Sequence, residues 1–260
     1  MTSLLTNASA MTALQTLSST NKNLGVTQNR IATGERVSTA SDNAAYWSIA
    51  TSMRTQSGAL GAVQDALGLG AAILDTASSA LEEAINKTKE IVNKYVARAT
   101  PGTDTAAIDA EITQLKAQVV SIATNADFQG VNMLKTGGTA AAIVTGYQPG
   151  AAPTTMSVAA YDLQAALGAA ADATAVDTAL KAMQSAAATI GAAKTRVDSQ
   201  KSFTSKLVDS IDRGIGQLVD ADMNKESARL AALQTQQQLG IQALSIANSS
   251  SQSLLSLFRG

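Results

Sequence analysis

Two pairs of carboxylates are the first residues in this sequence whose type and spacing could do chemistry. Glu82-Glu83 and Asp220/Asp222 each place two carboxyl groups close along the chain, as general acid–base catalysis requires. No motif around either pair combines a nucleophile, a base and an oxyanion donor, so both read as solvated helix faces. The 260 residues contain no Cys and no His. Disulfides, thiolate nucleophiles, imidazole bases and Cys/His metal sites are therefore excluded. Gly68-Leu69-Gly70 is not followed by a phosphate-loop pattern and reads as close helix packing. Asn7-Ala8-Ser9, Asn86-Lys87-Thr88 and Asn248-Ser249-Ser250 match the N-glycosylation pattern, but they fall in helical stretches and read as incidental. The expectation is a protein that is not an enzyme, with no catalytic, cofactor-binding or metal-binding residues and no cofactor.

With no chemistry to position, the elements themselves become the subject. Hydrophobic residues make up 45% of the chain but aromatics only 3%, because much of the apolar total is Ala. Ala favours helix and lets helices approach closely. The net charge of −1 gives no electrostatic footprint for nucleic acid or an anionic membrane. No run approaches the roughly 18 consecutive apolar residues of a membrane span, so no membrane insertion is expected. The first Lys is Lys22, which leaves the N-terminus without the basic region of a classical signal peptide.

The three prolines, Pro101, Pro149 and Pro153, all lie in the middle. Both flanks are therefore free to run as long helices, since interior proline costs about 3 kcal/mol. Residues 49–95 carry a heptad stripe: Ile49, Met53, Gln56, Leu60, Val63, Leu67, Gly70, Leu74, Ala77, Leu81, Ala84, Thr88, Ile91 and Tyr95. This period puts the stripe on one helix face. A second helix is predicted over about 103–125, with Ile108, Ile112, Leu115, Val119 and Ile122 along one side. The runs Ala142-Ile143-Val144 and Met156-Ser157-Val158 flank a Pro/Gly loop and predict a β-hairpin. A third long helix should begin near Asp172 or Thr174, both good N-caps, and continue towards the C-terminus with an interruption near Gly214 and Gly216. Its stripe holds Val176, Leu180, Met183, Ile190, Val197, Leu207, Ile211 and Leu218.

The two ends have stripes of their own. Leu4, Met11, Leu14, Leu17, Leu24 and Ile31 form one, ending near Thr33-Gly34; Leu230, Leu233, Ile241, Leu244, Leu254 and Phe258 form the other. Two paired helices make only a thin rod, and isolated helices are marginal in water. The ends should therefore be completed by other copies of the chain. The fold class expected is mainly α, with long antiparallel helices forming a coiled-coil-like rod and a helical bundle, plus a small β-hairpin region.

Three motifs carry a family resemblance. Asn29-Arg30-Ile31-Ala32-Thr33-Gly34-Glu35-Arg36-Val37, followed by Ser41-Asp42-Asn43-Ala44-Ala45 and Ile49-Ala50, resembles the N-terminal signature of bacterial flagellins. The run from Gln236 to Asn248 and the ending Leu254-Leu255-Ser256-Leu257-Phe258-Arg259 resemble the C-terminal signature. Asp127-Phe128-Gln129-Gly130-Val131-Asn132-Met133-Leu134 is similar to the family's middle element. At Tyr46-Trp47, where Gly is common in the family, this chain departs from the pattern.

The resemblance implies a short flagellin with little or no outer domain. Residues 1–40 with 219–260 would form an inner terminal-helix domain, and 41–218 an outer helical domain with a hairpin at about 126–160. Gly34, Arg36, Asp42 and Asn43 would form the linker motif between them. The implied function is the structural subunit of the flagellar filament, a secreted, extracellular homopolymer used as a propeller and open to related flagellins. Implied partners are a flagellar export chaperone over about 220–260, the type III export apparatus, and hook-associated and cap proteins, with export needing no cleaved signal peptide. Lys89, Glu90 and Glu111 fall where some flagellins carry the epitope of a vertebrate innate receptor. Lys89 replaces an Arg there and lacks its bidentate fork, which implies weak activation. A hook–filament junction protein of the same superfamily is the alternative. A coiled-coil signalling module would lack the paired end motifs.

Overall fold

The computed structural model describes residues 7–257, with side chains through residue 249. The elements in order are α1 (Ala8–Thr33), α2 (Ala44–Arg98), α3 (Thr105–Asn125), β1 (Asp127–Phe128), β2 (Val131–Asn132), β3 (Ala141–Gly146), β4 (Thr154–Val158), α4 (Leu163–Gly168), α5 (Ala173–Val219) and α6 (Met223–Leu257). The fold is mainly α, as the Ala-rich, proline-free flanks require. Two compact units are present: residues 1–54 with 212–260, and residues 55–211. The parting falls within α2 and α5.

The 55–211 unit holds the larger core. Every stripe position of α2 from Leu60 to Ile91 is buried, including the small Gly70 and the polar Thr88. The Thr88 hydroxyl is satisfied inside its own helix, donating to the Ala84 carbonyl at 2.7 Å, with Met183 Sδ at 3.5 Å. Gly70 is small for a different reason than the sequence suggested. It accommodates Ile143 of β3, whose Cγ2 would lie 2.5 Å from an added Cβ, so the close approach is helix to strand. Gly68 has open space beside it. Ile49 corrects the stripe at its start: it is 49% exposed, outside the buried run.

Around α2 the other elements follow their patterns. Asp104 caps α3, accepting from the Ala106 and Ala107 N–H groups, and Ile112, Val119 and Ala123 face the core. The β3–β4 hairpin pairs Ala141 with Val158 and Ile143 with Met156, all four buried, and has a bulge between Val144 and Gly146. Val176, Met183, Ile190 and Val197 of α5 complete the same core.

Two small features were not expected from sequence. The first is the tight β1–β2 pair, which turns through Gln129 and Gly130 at positive φ while the Asp127 carboxylate accepts the Gly130 N–H. Next to it Asn132 is fully buried and fully bonded. Its amide donates to the Ala123 and Thr124 carbonyls, and its Oδ1 accepts from the Leu134 and Lys135 N–H groups. The residues that resemble the family's middle element therefore tie the end of α3 to a buried Met133-Leu134. The second is α4, a short helix capped by Asp162.

The C-terminal interruption also moves. Gly214 and Gly216 stay inside α5, and the break lies at Asp220–Asp222. Gly214 instead permits close packing on α2, where an added Cβ would stand 2.7 Å from Met53 Cε.

Candidate self-assembly surface

Helices α1 and α6 pair antiparallel, which the sequence of contacts along them shows. Asn7 donates to the Ala247 carbonyl at 2.9 Å, Gln237 donates to Asn21 Oδ1 at 2.8 Å, and Arg30 meets Glu226 Oε1 at 3.3 Å. The α1 residues turned inward are Ala10, Ala13, Leu17, Thr20, Leu24, Thr27 and Ile31, spaced by alternating threes and fours. Those of α6 are Glu226, Leu230, Leu233, Gln237, Gly240, Leu244 and Ala247, on the same grid. Each seam is a heptad that mixes leucines with small or polar residues. Leu17 packs on Gly240, where an added Cβ would sit 3.3 Å from Leu17 Cδ1.

That seam divides the residues assigned to the terminal stripes. Leu17, Leu24, Ile31, Leu230, Leu233 and Leu244 are half-buried or buried against the partner helix. Met11, Leu14 and Ile241 are not on it: they are 64%, 58% and 54% exposed, and Ile246 is 68% exposed. Val26 and Leu239 are also exposed. Met11 and Leu14 line a shallow groove along α1 with Ala8, Thr12, Gln15 and Ser18. Leu4 and Phe258 lie outside the described residues, as does the side chain of Leu254.

Sequence reasoning missed Thr20, Thr27, Arg30, Glu226, Gln237 and Gly240 because it counted apolar residues alone. The same heptad grid, read for small and polar residues, would have found all but Arg30, which lies one residue before Ile31. Glu226 Oε2 is buried without a partner, so the carboxylate leans on Arg30 alone.

The linker residues come together at the turn between α1 and α2. Gly34 ends α1 in the left-handed region, at φ 73°, with its N–H on the Arg30 carbonyl. Its carbonyl accepts from Ala221, and the Arg36 N–H donates to the Val219 carbonyl at 2.6 Å. A short bridge, Glu35 to Asp220, therefore holds the two chain crossings together. The Arg36 guanidinium donates to the Leu218 carbonyl and lies 5.8 Å from the centre of the Tyr46 ring. This contact supplies a role for the aromatic that departs from the family pattern: a cation–π platform for Arg36. The Asp42 carboxylate accepts from the backbone N–H and hydroxyl of both Ser38 and Thr39. These bonds, led by the Thr39 N–H, hold its pKa below the ordinary 3.8. Asn43 caps α2 by accepting the Tyr46 N–H.

Lys89, Glu90 and Glu111 are exposed in the 55–211 unit. Glu90 pairs with Lys87, one turn back on α2, and Glu111 pairs with Lys94. Among the described residues no group of three or more Asp and Glu could hold a metal ion. One 18-residue window of α2 has the length and mean hydropathy, 1.3, of a membrane span. The same helix carries the buried stripe from Leu60 to Ile91, and 28% of the window is buried.

Residues 4–139 match the bacterial flagellin N-terminal helical region, and residues 173–258 match the C-terminal helical region. A flagellin of Brucella melitensis is 51% identical, with both chains covered in full. Flagellin C of Rhizobium meliloti is 43% identical, again over the whole of both chains. A solved flagellin of Bacillus cereus is 18% identical, with a TM-score of 0.38 over 64% of this chain and 94% of that one. This chain belongs to the bacterial flagellin family.

Proposed function

We infer that this chain is the structural subunit of a flagellar filament, polymerising with other copies of itself through its terminal helices. The observation that carries this is the pattern on α1 and α6. Their seam is closed, yet Met11, Leu14, Ile241 and Ile246 remain in water. Burying such side chains is worth about 1.5–3 kcal/mol each, and neighbouring copies can supply the cover. A repeated head-to-tail contact of this kind builds an open helical polymer.

In this reading residues 1–40 and 219–260 act as the inner domain and 41–218 as the outer helical domain. The Gly34, Arg36, Asp42 and Asn43 turn serves as the linker. The subunit leaves the cell without a cleaved signal peptide, through the flagellar type III export apparatus, with a chaperone on about 220–260. A thin two-helix rod suits that route, because little packed structure must be undone. Hook-associated and cap proteins bound the polymer at its two ends, and related flagellins are able to co-assemble. The filament works as a passive propeller and the subunit carries no catalysis.

Seeded polymerisation of the purified chain tests the reading. Full-length chain should extend seeds into micrometre filaments. Chains lacking about 20 residues at either end should fail to extend them, while the 55–211 unit stays folded by circular dichroism. Normal filaments from the truncated chains would overturn it.

A further inference from the structure

We propose that Met11 is an oxidation site that switches assembly off: a peroxide-class oxidant converts its thioether to the sulfoxide and removes the apolar surface that neighbouring copies cover. This rests on the self-assembly reading above. The described methionines differ sharply in access. Met133, Met156 and Met183 are buried in the core of the 55–211 unit, and Met53 is half-buried against Gly214. Met11 is 64% exposed and Met223 is 43% exposed. Oxidation of methionine follows access, so Met11 should react first among the described methionines.

The surroundings make the reaction consequential at Met11. It sits in the α1 groove beside Ala8 and Leu14, with the polar Thr12, Gln15, Ser18, Ser19 and Lys22 along it. The sulfur attacks one peroxide oxygen; the S–O bond forms as the O–O bond breaks, and water leaves after proton transfer. Sulfur is oxidised by two electrons and the peroxide is reduced by two. The product is a polar, chiral side chain in place of a flexible apolar one. Covering it on assembly takes a strong acceptor out of water where an apolar thioether was covered before. At the usual cost of such burial, the critical concentration for polymerisation should rise at least about tenfold.

The test treats monomeric full-length chain with hydrogen peroxide, maps the added oxygen by peptide mass spectrometry, and measures critical concentration before and after. Expected is preferential oxidation at Met11, at least about a tenfold rise in critical concentration, and recovery on treatment with methionine sulfoxide reductases. For Met11→Leu the ratio of treated to untreated critical concentration should stay near one, whatever its starting value. Met223→Leu should respond as the unsubstituted chain does. Met11 reacting no faster than Met183, an equal loss in Met11→Leu, or no recovery on reduction would each overturn the proposal. Failure of the untreated chain to polymerise would instead bring down the assembly reading, and this inference with it.

Discussion

Gly70→Ala should destabilise the 55–211 unit even though it replaces glycine by the best helix former in the middle of a helix. A Cβ at residue 70 would stand 2.5 Å from Cγ2, 2.9 Å from Cγ1 and 3.0 Å from Cδ1 of Ile143. Ordinary carbon contacts lie at about 3.5–4.0 Å, so the overlap reaches about 1 Å. Ile143 is 2% exposed, is β-branched, and stands opposite the buried Met156 on β4. A stiff side chain in a full core has little room to turn. Overpacking of this kind costs about 1–3 kcal/mol. The helix gains about 1 kcal/mol from losing the glycine. The net is a loss of up to about 2 kcal/mol, or a fall of up to about 8 °C in the melting of this unit.

The second half of the cycle makes the reasoning specific. Ile143→Ala removes all three clashing atoms at a cost of about 2–5 kcal/mol. In that background Gly70→Ala should become stabilising, by about 1 kcal/mol, because only the helix gain remains. Calorimetry of the four chains, kept monomeric, measures the cycle. Additivity of the two substitutions within about 0.5 kcal/mol would refute the helix-to-strand contact as the reason for Gly70.

Three further outcomes follow from the site. Arg30→Met leaves the Glu226 carboxylate buried and unpaired, so the α1–α6 pair should lose about 3 kcal/mol, read as faster amide exchange in both helices; Arg30→Met with Glu226→Leu should recover most of it. Asp42 has a folded pKa below 3.8, so its contribution is complete above that value and is lost as pH falls through the lower, folded one. An NMR titration should place its midpoint below 3.8, with the Ser38–Asp42 turn loosening only beneath it; a midpoint at or above 3.8 contradicts the hydrogen-bond account. Lys89, a point charge without the bidentate fork of Arg, should make the chain a weak activator of the innate receptor in a reporter-cell assay, and potency equal to a strong activator would refute that reading.

The long helices were legible because a heptad stripe on a proline-free flank admits little else. The buried run from Leu60 to Ile91 matches the stripe residue by residue, since each position faces the same core. The stripe misleads at Ile49, which is 49% exposed. The helix break was misplaced because Gly214-Ile215-Gly216 carries the stronger breaker signal by propensity. Tertiary contact reverses it: Gly214 lets α5 approach Met53, and Asp222 caps the restart by accepting the Asn224 and Lys225 N–H groups. The seam of the terminal pair was hidden for a related reason. Thr20, Thr27 and Gly240 lie at contacts where two lone helices come close, and closeness selects small residues over large apolar ones. The apolar residues that sequence reading favoured were thus split. Leu17 and Leu24 hold the pair together, while Met11 and Leu14 remain outside.

That division is the centre of the account, and a helical reconstruction of the polymer at side-chain resolution tests it most directly. The account predicts that Met11, Leu14, Ile241 and Ile246 pass from water into contacts with neighbouring copies, while the Leu17–Gly240 seam stays within one subunit. A filament in which those four side chains remain solvated, and copies touch only through residues 55–211, would contradict it.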